Sequence, residues 1–156
     1  SIRNGVYNLE GKVKPDDIIV IHDGIRPLVD ATVLTDVLIK AQKYGNAVTS
    51  MPYNEQIFII NPDNASTTKQ YIPRETLRRV STPQAYRFNL LDEKYHEAFA
   101  KKIGIYGSSY TNTMMVELGV TLYFAAGSDK NIKLTTKDDL ELFKAYLKAD
   151  KDTWLK

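Results

Sequence analysis

The segment IIVIHDGIRP, residues 18–27, constrains the fold of this chain more than any other feature. Its first four residues are apolar and β-branched, which is typical of a strand covered on both faces. A helical pattern follows, with Asp30 placed to cap the helix and Gly45 placed to end it. A second strand at residues 46–51 completes a strand–helix–strand unit with a right-handed crossover. The pattern predicts an α/β fold with a mainly parallel sheet and helices on both faces.

Composition limits the classes of function. The chain has 156 residues, 43% of them apolar, which predicts one compact domain over residues 1–156. Its 21 basic and 19 acidic residues are interspersed, without the basic face that nucleic acid requires, so we expect no nucleic-acid partner. No apolar stretch reaches the roughly 20 residues of a membrane span, and the first residues lack the layout of a signal peptide. With no cysteine in the sequence, we expect a protein of the reducing cytoplasm.

Two further apolar segments predict a pair of strands that form an arm. Apolar segments flank the turn-rich stretch NPDNAST and indicate a two-stranded arm over residues 53–73. An isolated hairpin is marginal in water, and its residues Ile57, Ile59 and Tyr71 would be half-exposed. We expect the arm to pack on the body or on a second chain, and we favour the second chain.

The rest of the chain continues the α/β pattern. Helical spacing and an apolar run predict two helices, a buried strand and a closing amphipathic helix at residues 89–102, 111–119, 121–126 and 135–150. Thr111 is placed to cap the second of these helices. Thr136 and Asp139 have the spacing of a capping box at the start of the last helix.

Polar residues that follow the first strand indicate a ligand site. Open sheets bind ligands beyond the carboxyl ends of their strands, and Asp23 lies there. Its carboxylate suits a hard cation, and we expect Mg²⁺ because the chain lacks cysteine and its two histidines are far apart in sequence. Gly24 would let the backbone approach a phosphate, and the planar guanidinium of Arg26 would bind either a phosphate or a carboxylate. The alternative is a surface ion pair between Asp23 and Arg26.

A second polar cluster lies in the last loop, where Lys133 and Thr135 precede a helix. If this loop meets the loop at residues 23–26, an ammonium group and a metal-binding carboxylate face each other. Transfer of a phosphoryl-type group requires that arrangement, since it depends on charge compensation and positioning. The alternative is a solvated lysine before a capped helix.

Four motifs in this order resemble a known family: IHDGIRP, IPRETLRRVSTPQAYRF, YTNTMMVELG and GSDKNIKLTTKDDL. They are similar to the cytidylyltransferases that make CDP-activated polyols. The pattern is closest to ribitol-phosphate cytidylyltransferases of cell-wall and capsule synthesis, and methylerythritol-phosphate cytidylyltransferases of isoprenoid synthesis share it. The resemblance implies a Rossmann-like nucleotidyltransferase fold in which a polyol phosphate attacks the α-phosphorus of CTP and pyrophosphate leaves.

The resemblance also implies roles for single residues. Asp23 would bind Mg²⁺ between the phosphates of the two substrates, and Lys133 would stabilise the transition state. Ser1 matches a serine that contacts the cytosine ring. Three residues match positions that bind the acceptor: Arg74, Thr111 and Thr135. In the family the arginine lies on an arm that reaches the neighbouring subunit's site, which implies a homodimer through residues 53–73.

The chain departs from the family pattern in ways that leave alternatives open. The family begins with a strand and a Gly-rich loop that cradles the triphosphate, whereas Ser1 matches the middle of the pattern. We therefore expect the C-terminal part of a cytidylyltransferase, an incomplete Rossmann-like fold and little turnover by this chain alone. Glu55 and Asn112 replace expected residues near the acceptor. Arg74 could instead pair with Glu75 or Glu117. The alternatives are a methylerythritol-phosphate acceptor and a non-catalytic dimerising or nucleotide-binding relative.

Overall fold

The computed structural model describes residues 1–107 and 110–151, which form five helices and six strands. The helices are α1 (Ile2–Asn8), α2 (Ala31–Tyr44), α3 (Phe88–Lys101), α4 (Thr111–Glu117) and α5 (Lys137–Lys151). The strands are β1 (Ile18–Ile21), β2 (Asn46–Pro52), β3 (Ile57–Asn61), β4 (Asn64–Ile72), β5 (Arg78–Arg87) and β6 (Phe124–Ala126). A single turn of 3₁₀-helix, Arg74–Thr76, separates β4 from β5. Among the described residues, no helix has both the length and the apolar character needed to cross a membrane.

The main sheet is mixed, with the strand order β1-β5-β2-β6. Strands β1, β2 and β6 point in one direction, but β5 lies between β1 and β2 and pairs antiparallel with both. Within the described residues, β2 and β6 form the one directly hydrogen-bonded parallel pair. The α/β class is confirmed, whereas the expected mainly parallel pairing is corrected, because the strand–helix–strand unit places its two strands two positions apart and β5 fills the gap.

Strand β5 is the element that the sequence pattern did not reveal. A proline inside a run argues against a central strand, because it cannot donate a hydrogen bond to the ladder. Here Pro83 lies where the register between β2 and β5 shifts, between Val48 and Thr49. The Thr49 hydroxyl donates to the Pro83 carbonyl over 2.6 Å. The proline is therefore tolerated at a bulge, and the strand continues on either side of it.

The two faces of the sheet carry two cores. Val48 and Tyr86 are fully buried in a cluster with side chains of α1, α3 and α4. Their neighbours Ala47 and Ala85 are equally buried but belong to a second cluster with α2. Successive side chains of a strand point to opposite faces, so this alternation places helices on both sides of the sheet, as predicted. Burial of each large side chain contributes roughly 1.5–3 kcal/mol.

Helix α2 begins and ends where the sequence predicts. The Asp30 carboxylate accepts a hydrogen bond from the Val33 amide over 2.8 Å. Gly45 ends the helix with a left-handed φ of 90°, a conformation that costs glycine little. By contrast, the strand predicted at residues 121–126 is present but shorter, and the prediction that it is buried is wrong. Strand β6 has only three residues, and only Ala125 is buried, because β6 forms an edge of the sheet.

The predicted arm is present as a separate two-stranded sheet of β3 and β4. These strands pack chiefly against each other. Phe58 and Tyr71 lie opposite each other across the two strands, with ring centroids 6.2 Å apart. Their exposed fractions are 54% and 67%, and that of Ile60 is 65%. The arm thus presents apolar side chains that the described part of this chain does not cover.

Candidate active site

The two polar loops predicted from the sequence meet at one end of the sheet. The Arg26 guanidinium donates from Nη1 to the Asn131 carbonyl over 2.9 Å. The Leu134 amide donates to the Ile25 carbonyl over 2.9 Å. These two bonds bracket Lys133, which is exposed. The condition set by the sequence, that the loop at 23–26 meets the last loop, is confirmed.

Strand β5 contributes a third element to this junction. The Thr82 hydroxyl accepts a hydrogen bond from the Asp23 amide over 3.0 Å. The Thr82 carbonyl accepts one from Asn131 Nδ2 over 2.7 Å. Both Thr82 and Asn131 are buried, with exposed fractions of 8% and 4%. Sequence reasoning missed these two residues, although each lies in a quoted motif, TPQ and NIK.

Asp23 and Arg26 form the ion pair that the sequence left as an alternative. Arg26 Nε lies 3.1 Å from Asp23 Oδ2, and the side chains are 15% and 36% exposed. Arg26 also binds the Asn131 carbonyl, so two of its donors serve the protein itself. The pair shows how the loop is held, and it leaves the other Asp23 oxygen, Oδ1, without a hydrogen-bond partner in the described part of the chain.

The surroundings of Asp23 fit a hard cation that is shared with substrate. Mg²⁺ commonly binds one or two carboxylates together with substrate phosphates and water. Asp23 Oδ1 is an oxygen donor of this kind at the end of a strand. A Cβ placed on the neighbouring Gly24 would meet no atom within 4 Å, so this side of the loop is open. Asp23 would hold the metal, and substrate oxygens would complete its coordination.

Thr135 is engaged in the start of α5. Its amide and its hydroxyl both donate to Asp139 Oδ2, each over 2.9 Å. The predicted capping box is also present, since Thr136 and Asp139 exchange bonds of 2.8 and 3.1 Å. Led by the bond from the Thr135 amide, these contacts lower the pKa of Asp139 to about 2. The Thr135 hydroxyl is therefore committed to the helix cap in the absence of ligand.

Ser1 and Thr111 line one cavity of about 310 Å³. Thr111 is buried, and its hydroxyl lies 2.7 Å from the hydroxyl of Tyr95. Burial raises the pKa of Tyr95. The predicted capping role of Thr111 is wrong, because Tyr110 occupies the cap position and the Thr113 hydroxyl closes the first turn. Two residues expected at different substrates thus share a cavity.

Arg74 lies at the base of the arm, away from the loop junction. Its Nη1 donates to the Asn54 carbonyl over 3.0 Å, and its Nε lies 3.8 Å from the Glu75 carboxylate. The pairing with Glu75 that the sequence left open is therefore observed. Arg74 and Arg78 line a cavity of about 450 Å³ whose walls include neither loop of the junction. Within this chain, the structure does not bring Arg74 together with the residues of the loop junction.

A second polar cluster joins the segment after α1 to α3. Across residues 1–107 and 110–151, Glu10, Asp92 and His96 form the one group of acidic and histidine side chains with ligand atoms all within 4.8 Å. The Glu10 carboxylate lies 2.7 Å from His96, and this hydrogen bond lowers the pKa of Glu10. Burial raises the pKa of Asp92. Asp23 is not part of this group, so a metal at Asp23 depends on oxygens from the substrates.

Comparison with known proteins gives cytidylyltransferases among the relatives of this chain. A ribitol-5-phosphate cytidylyltransferase from Lacticaseibacillus paracasei is 66% identical over 95% of this chain and 62% of its own length. A 2-C-methyl-D-erythritol 4-phosphate cytidylyltransferase from Bacillus pumilus is 35% identical over 96% of this chain and 63% of its own length. The chain therefore spans less than two thirds of the length of these relatives.

Solved structures agree on the fold. The 2-C-methyl-D-erythritol 4-phosphate cytidylyltransferase from Thermus thermophilus superposes with a TM-score of 0.75 at 27% identity, covering 92% of this chain and 67% of that one. The enzyme of that name from Francisella tularensis gives a TM-score of 0.78 at 22% identity, covering 93% and 65%. The family described as IspD, 2-C-methyl-D-erythritol 4-phosphate cytidylyltransferase, matches residues 1–149. The chain belongs to this cytidylyltransferase family.

Proposed function

We propose that the protein containing this chain transfers CMP from CTP to ribitol 5-phosphate and releases pyrophosphate. The observation that carries this proposal is the junction of the two loops, which holds the backbone of Asp23 and the Lys133 segment against the same strand. The choice of acceptor rests on 66% identity to the ribitol-5-phosphate enzyme, against 35% or less for the methylerythritol-phosphate relatives compared above. We also propose that it acts in the cytoplasm.

The reaction is an in-line displacement at phosphorus. An oxygen of the acceptor phosphate forms a bond to the α-phosphorus of CTP while the bond from that phosphorus to the bridging oxygen breaks, and this oxygen leaves with pyrophosphate. Negative charge accumulates on the oxygens around phosphorus, so catalysis depends on positive charge held in place. When bound, Mg²⁺ would neutralise part of this charge. Asp23 would hold it, and the exposed ammonium of Lys133 would supply a second positive charge.

The remaining residues would bind the two substrates. Ser1 would contact the cytosine and Thr111 the acceptor, and their common cavity supports the view that the two ligands lie side by side. Gly24 would admit the nucleotide phosphates to the backbone, while Arg26 would keep the loop in place and bind phosphate with its remaining N–H groups. Thr135 would serve the acceptor by exchanging its bond with Asp139 for one to the ligand.

We further propose that the protein is a homodimer and that Arg74 acts in the partner's site. Arg74 is exposed at the base of the arm, and its partners among the described residues are Asn54 and Glu75, not Asp23 or Lys133. The apolar side chains of the arm are uncovered in a single copy. Pairing of two arms over residues 53–73 would cover them and carry each Arg74 to the other copy, where its guanidinium would bind the acceptor phosphate.

A pyrophosphate-release assay on the protein isolated from its native source tests the activity. CTP is supplied with Mg²⁺ and either ribitol 5-phosphate or 2-C-methyl-D-erythritol 4-phosphate. We expect release that requires the first acceptor. Faster release with the second would replace the acceptor, and CTP binding without release for either would favour the non-catalytic relative.

Two substitutions at Asp23 test the site. Asp23→Asn keeps an oxygen for Arg26 but removes the charge, and Asp23→Ala removes both. We expect each to lower Mg²⁺-dependent release at least about 100-fold, the usual effect of losing one electrostatic contact to the reacting phosphorus. Asp129→Ala is the matched control, because Asp129 is an exposed aspartate in the neighbouring loop that pairs only with Arg79 in the described structure. Unchanged release in the Asp23 variants would contradict the assignment.

A further inference from the structure

We propose that Asn131 is a positioning residue. By binding strand β5, it fixes the catalytic Lys133 segment and the Asp23 loop relative to each other. It would act through these groups and would not contact substrate. Its effect on turnover rests on the proposed cytidylyl transfer, whereas its effect on the loops does not.

Asn131 is hydrogen-bonded to two different parts of the junction. Its side chain donates to the Thr82 carbonyl over 2.7 Å, and its own carbonyl accepts from Arg26 over 2.9 Å. Thr82 in turn accepts the Asp23 amide on its hydroxyl. Asn131 is thus the one residue among those described that bonds directly both to β5 and to the loop after β1, and it lies two positions before Lys133.

Comparison with Asn46 shows that this arrangement differs from an ordinary buried asparagine. Asn46 is 3% exposed, donates to the Thr121 carbonyl over 3.0 Å and accepts from the Tyr123 amide over 3.1 Å. Both the nitrogen and the oxygen of its carboxamide therefore have hydrogen-bond partners, and the side chain links β2 to the segment before β6. Asn131 is equally buried, yet its Oδ1 has no hydrogen-bond partner within the described residues.

A second buried side-chain atom without a partner among the described residues lies in the same junction. His22 Nε2 is 2.9 Å from the Arg26 carbonyl, which can only accept, so Nε2 carries the proton. The other ring nitrogen, Nδ1, is buried and unpaired. Of the three buried side-chain atoms without a partner in the described chain, two thus belong to this junction. Incomplete hydrogen bonding is costly in a protein interior and is concentrated where function rather than stability decides the structure.

The geometry predicts what loss of the carboxamide does. Without its donor, the Thr82 carbonyl is released, and the hydroxyl that holds the Asp23 amide is released with it. Among its bonds to these two elements, the Asn131–Leu134 segment then keeps only those to the loop after β1. Strand β5 therefore no longer fixes the position of Lys133 relative to Asp23. Small misplacement of reacting groups lowers turnover by up to about 100-fold while leaving substrate affinity largely unchanged.

The test compares Asn131→Ala and the size-conserving Asn131→Asp with the matched control Asn46→Ala. Residue-resolved amide exchange is measured on this chain without ligand. For both Asn131 variants we expect exchange of the Asp23 and Leu134 amides to rise at least about tenfold, with the Tyr123 amide unchanged. For Asn46→Ala we expect the reverse, because its carboxamide binds Tyr123. Equal increases at all three amides in every variant would overturn the proposal.

Steady-state kinetics on the protein isolated from its native source, with CTP and ribitol 5-phosphate, supply the second readout. The Asn131 variants are expected to lower kcat by about 10–100-fold with KM for CTP within about threefold, and Asn46→Ala to change neither. A fall in kcat without the local change in exchange would overturn the positioning role. If the native protein shows no cytidylyl transfer, the proposed function fails, and the exchange pattern alone decides this inference.

Discussion

The Thr82 hydroxyl holds the backbone of the loop that carries Asp23. It accepts the amide of Asp23, the residue that we propose holds the metal, from a position on the central strand β5. Thr82 is buried, and the Asn131 side chain binds its carbonyl, so the hydroxyl gives the loop a defined reference point. Because the loop is already ordered, its charged side chain can bind a ligand without the conformational-entropy cost of ordering the backbone.

Thr82→Val tests this role at the scale of a single bond. Valine has nearly the same shape but accepts no hydrogen bond, so we expect the free energy of unfolding to fall by about 1 kcal/mol and exchange of the Asp23 amide to accelerate. Thr49→Val is the matched control, since Thr49 also uses a buried hydroxyl at the same bulge, toward the Pro83 carbonyl. It should lower stability to a similar degree in urea titrations and leave the Asp23 amide unchanged. An accelerated Asp23 amide in the control would assign the effect to the bulge as a whole.

The residues of the proposed site were predictable where their contacts are local. Asp23 and Arg26 lie three positions apart after an apolar strand, and that pattern alone indicates a polar loop at a sheet edge. Thr82 and Asn131 could not be found in this way, because their partners are distant in sequence. The Asp23 and Thr82 pair is separated by 59 residues and the Asn131 and Thr82 pair by 49. Only the folded sheet brings such pairs together.

Among the elements, helix α5 begins at a cap that one carboxylate, that of Asp139, stabilises. Asp139 accepts hydrogen bonds from the amides of Thr135 and Thr136 and from the Thr135 hydroxyl. These donors belong to the cap residue and the residue before it, which lie just outside the helix and whose amides have no backbone partner within it. The same contacts connect α5 to the Lys133 loop, so the helix start and the proposed site share a hydrogen-bond network.

The lowered pKa of Asp139 makes this helix start sensitive to acid. Its folded pKa of about 2 lies below the ordinary value of 3.8, so ionised Asp139 stabilises the cap above about pH 4. That stabilisation is lost as the pH falls from about 4 toward 2. We expect exchange of the Thr135 and Thr136 amides, corrected for the intrinsic pH dependence, to accelerate across this range.

Two variants provide the controls for that titration. Asp139→Ala should show rapid exchange at every pH, because the acceptor is gone. Asp138→Ala removes another carboxylate of the same first turn and should keep the acid transition. A transition of equal size in Asp139→Ala would mean that a different group titrates.

Elements with a strong local pattern were predicted well, and those defined by their neighbours were not. The limits of α2 follow from Asp30 and Gly45, whose capping chemistry is visible in the sequence. The turn-rich stretch between β3 and β4 likewise revealed the arm. Strand β5 was missed because Pro83 interrupts its pattern, and β6 was predicted too long because an apolar run does not show whether a strand lies at an edge.

At the scale of the whole molecule, the sheet body and the arm meet different demands. The body buries apolar side chains on both faces of its sheet. The arm has two strands, and a hairpin of this size gains little stability from its own contacts. Its aromatic pair, Phe58 and Tyr71, is more than half exposed. An arm of this kind needs a second surface, and we propose that a second copy of the chain supplies it.

Ile60→Lys tests the proposed dimer with a close control. Ile60 on the arm is 65% exposed, and Ile39 on the outer side of α2 is 56% exposed. If two arms pair, a lysine at residue 60 places a charge in the covered surface, and we expect sedimentation equilibrium to show association at least about tenfold weaker than in the unchanged protein. Ile39→Lys should leave association unchanged, because α2 lies outside the arm. A monomeric unchanged protein, or equal weakening by both lysines, would contradict pairing through the arm and with it the proposed role of Arg74 in the partner's site.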